Sequence, residues 1–298
     1  MTVPNGTSPS FESPVRPEEA DGIFAIIMGV EGEGINTEDL HYQKWRIQAV
    51  EKMKVIGSDE EFKTFWRSEC IGPGDLAIYE KLKDRASDKE NFPDWKKTVE
   101  PEVNAYYESH LDTAEIPEGF AQAYRGLMRL KETKNKDVSF MVVTHAEKPL
   151  VTIQFGLIRA ATATEGKDGI ALDPEKDVIY HEKKNENAYV VALERINKSR
   201  AEQGLSELKP KNVLILDSKK YRKRAEDLGF KAMTIALDLP EHLLPMPPDA
   251  KDPAAQEQWA KERAAEKDHQ ITWCGVYGLI TGKGKDYSPK SVRTPSLP

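Results

Sequence analysis

The sequence predicts an α/β fold: a Rossmann-like parallel sheet covered by helices on both faces, with an inserted all-helical cap. Three observations predict it. Short, almost wholly apolar runs at 23–28, 138–143, 213–216 and 232–236 read as buried strands. Helical stretches alternate with them, as parallel crossovers require. Residues 59–110, between the first two runs, carry helical patterns only.

The elements follow in order. The run at 23–28 ends in a glycine-rich turn, Gly29-Val30-Glu31-Gly32-Glu33-Gly34. Asn36 or Thr37 can cap the next helix, which carries Glu38 and Asp39 in its first turn and runs through Trp45 and Val50. Phe62, Phe65 and Trp66 share one helical face, as do Leu76, Tyr79 and Leu82, and Tyr106 and Tyr107 lie in a further segment. These aromatics read as helix-packing core. Pro117 starts a helix through Leu130. Further helices are expected at 149–157, 188–196 and from Lys219 to a stop at Gly229, with a short strand at 177–180. Beyond Asp238 come five prolines within 239–253, a charged helix at 254–267 and an apolar run at 271–280 that reads as one more strand. The expected organisation is a tail at 1–20, a core at 21–35 and 115–240, a cap at 36–114, a C-terminal extension at 241–286 and a second tail at 287–298.

Composition narrows the function. The 298 residues are 39% hydrophobic and 31% charged, an ordinary soluble composition. No apolar run approaches the ~20 residues needed to cross a membrane. The net charge of −7 is spread over the chain and gives no general argument for nucleic acid, which is not the expected partner. The two cysteines, Cys70 and Cys274, lack zinc spacing and read as reduced thiols. Cytoplasm is the expected compartment, with the nucleus left open.

In a parallel α/β sheet, ligands bind beyond the carboxyl ends of the strands. Those ends carry the 29–34 turn, Thr144-His145 and Asp217-Ser218, with Lys183 and Lys184 in a nearby loop. A hydroxyl, an ammonium and acids beside a glycine-rich turn suit an anionic ligand with a divalent cation. The Gly29-x-x-Gly32-x-Gly34 spacing is not that of a dinucleotide-binding turn, and no Gly-Lys-Ser/Thr follows.

The stretch 26–32 followed by Asn36-Thr37-Glu38-Asp39-Leu40-His41 resembles the opening of β-phosphoglucomutase-type proteins of the haloacid dehalogenase-like (HAD) superfamily. Those read apolar strand, Asp-x-Asp-Gly, then Asp-Ser-Glu-Pro-Leu-His. Ser58-Asp59-Glu60-Glu61-Phe62 and Ile78-Tyr79-Glu80 resemble parts of their cap, and Pro117-Glu118-Gly119 resembles the return to the core. Val142-Val143-Thr144 matches the second motif. The segment from Lys183 to Tyr189 sits where the superfamily writes Lys-Pro-x-Pro-Asp-x-Tyr, and 213–218 resembles the fourth motif. The resemblance spans 23–236.

The resemblance implies roles, and the sequence departs from them. The nucleophilic, magnesium-binding Asp aligns with Gly29, which offers neither nucleophile nor ligand. The general acid-base aligns with Glu31. Thr144 and Lys183 fall where the phosphoryl group is held. In the fourth motif the paired acids become Leu216-Asp217, so Asp217 is left as the one metal candidate and a Mg2+ site looks incomplete. Losing such a nucleophile typically costs around 10⁶-fold in rate. Gly32, His145, Ser218 and Lys219 complete the candidate ligand-binding set. Each has a plainer reading: Asp217 with Ser218 as a helix cap, Glu31 and Glu33 as an exposed loop, and the run 219–224 as a solvated helix face.

Two functions follow as expectations. The first is a pseudophosphatase: a non-catalytic binding or regulatory protein for a small anionic ligand or a protein partner. The second is an enzyme of the HAD lineage with altered, non-phosphoaspartate chemistry. A third, with Asp21 as a displaced nucleophile, puts the carboxylate before the strand instead of after it.

Overall fold

Residues Ala25–Met28 form strand β1, buried on both faces at the centre of a six-stranded sheet. The computed structural model describes residues 22–71, 74–134, 138–164, 168–180 and 187–286. Lys183, Lys184 and Asp21 lie outside them.

After β1 the chain makes helices α1 (Glu38–Arg46), α2 (Asp59–Phe65), α3 (Asp75–Arg85) and α4 (Glu100–His110), the first two running on into π-helical turns. It then alternates: α5 (Phe120–Lys134), β2 (Ser139–Thr144), α6 (Lys148–Thr162), β3 (Val178–Tyr180), α7 (Ala188–Glu202), β4 (Val213–Leu216), α8 (Lys219–Asp227) and β5 (Lys231–Ile235). The last elements are α9 (Pro253–Asp268), β6 (Gln270–Ile271) and α10 (Trp273–Ile280). Strand order is β3-β2-β1-β4-β5-β6, all parallel. The chain leaves β1 towards β2 and β3, then crosses back to β4 and outward. That reversal opens a crevice at the carboxyl ends of β1 and β4.

Period-two alternation sorts the sheet residues into two layers. Ile26, Met28, Val142, Leu214 and Leu216 pack against Phe120, Leu127, Val151, Phe155 and Trp273. Ala25, Ile27, Val143 and Ile215 face the other way, against Tyr189, Ile196, Ala225 and Phe230. A third cluster, with Trp45, Phe62, Phe65, Trp66, Tyr79 and Leu82, fills the helices between β1 and α5. Leu40, Tyr107 and Leu111 join that helical unit to Leu150 and Leu157 of α6.

Several expectations change. The run 271–280 is a strand only at Gln270–Ile271; from Trp273 it is helix, capped by Thr272 Oγ1 accepting from Gly275 N at 3.0 Å. An apolar run this short does not distinguish strand from buried helix, and tertiary packing against α5 decides it. The helix after Pro117 begins at Phe120, because Gly119 adopts φ +79° and breaks the entry. Leu76 is exposed instead of sharing the buried face of Tyr79 and Leu82. Thr37 stands at the N-cap of α1 without a side-chain bond, while Asn36 Oδ1 accepts from Glu38 N at 3.3 Å. The run 219–224 is not uniformly solvated: Arg222 is buried and pairs with Glu266 of α9 at 2.8 Å.

The segment after β5 leans on the cap. Arg67 pairs with Glu241 at 2.7 Å and donates to the Leu244 carbonyl, and Leu243 enters the cap's apolar cluster. The C-terminal helix reaches the crevice itself: fully buried Trp273 donates its indole N–H to the Glu33 carbonyl at 2.9 Å. Among the described residues no helix is long and apolar enough to cross a membrane.

Trp273→Ala removes both the packing and that bond, so urea unfolding should show a loss of about 3–5 kcal/mol. Trp273→Phe, which keeps most of the volume, should cost closer to 1 kcal/mol. Equal losses for the two would contradict the packing assignment.

Candidate functional site

The strand tips and the helical cap line a half-open cavity of about 610 Å³. The core contributes Gly29, Glu31, Thr144, His145, Asn187, Tyr189, Asp217, Ser218, Tyr221 and Arg224; the cap contributes His41, Lys44, Asp75, Asn104 and Tyr107.

The turn after β1 is built by two glycines. Gly32 sits at φ +89°, a region closed to most side chains, and its N–H donates to the Ile35 carbonyl at 2.8 Å. A Cβ on Gly34 would lie 2.8 Å from Met28 Cε and 3.2 Å from the Val30 carbonyl, so a larger residue there would have to displace its neighbours. The fold-back carries Glu33 into the protein, where it is only 4% exposed. Its carboxyl comes to rest against Gly29: a Cβ built on Gly29 would meet Glu33 Oε2 at 2.8 Å. The reading of Glu33 as an exposed loop residue is therefore corrected. A carboxyl group does lie at the tip of β1, supplied from four positions along the chain.

Burial, and then the negative charge of Asp217, push the Glu33 carboxyl well above its ordinary value. Asp217 is raised too, by burial, although Tyr189 Oη donates to its Oδ2 and Ser218 N to its Oδ1, both at 2.7 Å. Two acids near one strand junction disfavour holding two negative charges, and both carboxyls are pushed upward. Asp217 and Ser218 do not form the expected cap: Ser218 stands at the N-cap of α8 with no side-chain bond, and Asp217 turns to Tyr189.

Glu31 behaves oppositely. Its carboxylate opens on the cavity but is ringed by protein. Tyr107 Oη donates to Oε1 at 2.6 Å, Gln154 Nε2 donates to the same oxygen at 3.0 Å, and His41 Nε2 lies 3.8 Å from Oε2. Burial raises its pKa, but the His41, Tyr107 and Lys44 interactions outweigh burial and hold it at about 2. An acid-base catalyst works best with a pKa near the working pH. The three contacts make Glu31 a clasp that joins cap α1 and α4 to core α6.

Of the other expected residues, Thr144 lines the cavity and its Oγ1 accepts from Ala146 N at 3.0 Å. His145 lines it beside Tyr221, their rings 5.7 Å apart. Gly32 shapes the turn and is not a lining residue. Lys219 is drawn off towards Glu266, 3.6 Å away, and does not line the cavity either. Arg224, one turn further along α8, takes that place. The cap residues were not singled out from the sequence. Lys44 is buried and pairs with Asp75 at 2.7 Å, and Asp75 also accepts from the Trp45 indole at 2.7 Å. His41 and Lys44, three residues apart on α1, carry a weak local signal; their partners lie too far along the chain to be read from spacing.

The magnesium that the resemblance implies meets a reduced donor set. Among the described residues no group of three or more His, Cys, Asp or Glu is arranged to hold a metal. Of the two acids at the tips of β1 and β4, Asp217 lines the cavity and Glu33 lies buried behind Gly29. Both oxygens of Asp217 are engaged, by Tyr189 and Ser218, so the described residues do not supply the carboxylate set that such an ion would need.

A doubly covered parallel sheet with a helical cap closing over its strand tips is the architecture of the HAD-like superfamily, and the chain has that fold. It superposes with TM-score 0.50 on a HAD hydrolase, family IA, variant 3, from Entamoeba histolytica, at 17% identity over 73% of this chain and 86% of that one. It superposes equally, at 0.50, on a Thermotoga maritima protein described as a beta-phosphoglucomutase, at 16% identity over 87% and 98% of the two chains. No protein-family model matches the chain, and no curated protein matches it in sequence.

Because folding raises the Glu33 pKa above the ordinary 4.5, its cost to stability is absent below that pH and grows as pH rises above it. In metal-free buffer, Glu33→Gln should therefore raise the thermal midpoint more at pH 8 than at pH 4.5. A midpoint lowered equally at both would show that the carboxyl is ionised and stabilising.

Proposed function

We propose that this chain is a HAD-fold protein without phosphoaspartate catalysis, which binds a small anionic ligand between cap and core. One observation carries the reading: the tip of β1 presents Gly29, and the carboxyl that reaches the spot belongs to Glu33, buried beneath the cavity wall. A nucleophile must face the phosphorus it attacks. Glu33 does not line the cavity, and Glu31 is committed to its clasp. The anion preference rests on Arg224, which meets no carboxylate among the described residues, together with the hydroxyls of Thr144 and Ser218. The ligand or partner this serves in the cell would be regulatory or structural in consequence.

A second reading is an enzyme with altered chemistry. It is favoured by the polar lining that survives at the core end, where Tyr189, Asp217 and His145 meet.

The test is paired. Purified protein should give no magnesium-dependent hydrolysis of p-nitrophenyl phosphate or common sugar phosphates. A panel of small phosphorylated and carboxylated metabolites should contain members that raise the thermal midpoint, since a ligand at 100 times its Kd adds about 2.7 kcal/mol to the folded state. Arg224→Ala should abolish the shift. Turnover lost on Asp217→Asn would instead favour the second reading.

A further inference from the structure

The segment between β5 and α9 crosses from the core to the cap. It runs from 236 to 252 with one short helical turn, Glu241–Leu243. Connections beyond ~12–15 residues without structure of their own are uncommon in compact folds and call for a reason. The first residues belong to the core: Ala236 N donates to the Ile271 carbonyl at 2.9 Å, and Leu237 packs on the apolar layer that holds Trp273. Two residues on, Leu239 packs against the cap's apolar cluster, and Leu243 is buried within it. Pro240, Pro245, Pro247 and Pro248 stiffen the crossing.

The segment grips the cap in two places. In the π-helical turn after α2, Arg67 pairs with Glu241 at 2.7 Å and donates Nε to the Leu244 carbonyl at 3.0 Å, while its own carbonyl accepts from Met246 N at 3.1 Å. On α1, His242 Nε2 lies 3.0 Å from Asp39 Oδ1, and its ring stands 4.6 Å from that of Tyr42. Exposed ion pairs alone contribute little. The buried Leu243 side chain and the main-chain bond to Arg67 give the grip its strength. The contact on α1 bears on the cavity, because His41 and Lys44 of the same helix stand in the cavity wall. A nine-residue helix moves as one piece, so whatever holds Asp39 and Tyr42 also sets where His41 and Lys44 stand.

We propose that residues 239–246 are a brace that fixes the cap over the core and so sets the aperture of the cavity. The cap joins the core through two chain crossings, which meet where Asn36 N donates to the Glu115 carbonyl at 2.7 Å. A unit hung on two adjacent crossings can turn about them, as hinged domains do. A third attachment, reaching Arg67 and the apolar cluster of the cap, opposes that turn. The ligand then enters through the half-open mouth of a cavity whose walls keep their spacing, and release of the brace is the step that widens it. The proposal depends neither on which anion the cavity takes nor on whether any reaction is catalysed.

The experiment compares amide hydrogen exchange, resolved residue by residue with NMR, in the full chain and two variants. Leu243→Ser removes the apolar anchor. Arg67→Ala combined with His242→Ala removes the polar contacts and leaves the cap's apolar cluster whole. In each, the Met246 amide should lose protection. The Asn36 amide, at the crossing, should exchange at least about tenfold faster beyond any change inside α3 or β1, a factor that corresponds to about 1.4 kcal/mol of opening free energy. Circular dichroism checks the fold, and the double variant decides the matter should Leu243→Ser prove unfolded. Unchanged exchange at Asn36 in the folded variants would overturn the proposal. Loosening confined to the cap interior would overturn it too, and would leave Leu243 as a packing residue of the cap.

Discussion

The arrangement of the crevice depends on one steric fact: residue 29 has no side chain, and the carboxyl of Glu33 lies where that side chain would begin. Glycine at a strand tip ordinarily weakens a site by subtraction. Here it admits a substitute. The four-residue fold-back needs positive φ at Gly32 and close approach at Gly34, and both positions carry the residue that permits it. The buried acid raises the electrostatic cost of the junction, because Asp217 stands beside it. The indole of Trp273 and the two apolar layers of the sheet supply the rigidity that holds such a group in place.

The second acid of the turn has the opposite fate, and the contrast explains the chemistry. Glu31 and Glu33 are two residues apart, yet one is held at a pKa of about 2 and the other is raised well above 4.5. Hydrogen bonds from Tyr107 and Gln154, with His41 nearby, favour the charged form of the first; burial beside a like charge disfavours it in the second. Glu31 is held far below neutral pH, and Glu33 does not line the cavity. Glu31 joins cap to core, and Glu33 lies buried behind the tip of β1. The cavity above them keeps hydroxyls, a guanidinium and an imidazole, so it remains equipped for recognition.

Much of the scaffold was legible because its signals are local. The run 213–216 is the observed β4 residue for residue, and Gly229, expected as a helix stop, follows α8 at φ +83°. Buried parallel strands must be apolar throughout, and that leaves a plain mark on the sequence. The run at 271–280 misled for the same reason: it is apolar and short, and only its packing against α5 makes it a helix. The site was legible at Gly29, Thr144, His145, Asp217 and Ser218, each beside a strand end. Glu33 was not, because a glutamate between glycines reads as an exposed turn until the fold-back is seen in three dimensions. Lys44 with Asp75, and Tyr107 with Glu31, join residues 31 and 76 positions apart, and no local pattern encodes such pairs. Lys219 and Arg224 exchanged roles because Glu266, on a helix that follows the sheet, draws the nearer cation away.

The claim that Glu33 occupies the space of the missing side chain is tested most directly by a double-mutant cycle on unfolding free energy with Gly29→Ala and Glu33→Ala. Independent sites add within about 0.3–0.5 kcal/mol, whereas groups in contact couple by more. Gly29→Ala should be destabilising in the wild-type background, where its new methyl group meets the carboxyl, and clearly less so once Glu33 is truncated. Additive effects within that margin would mean that the two positions do not share the space, and the account of the site would fail with them.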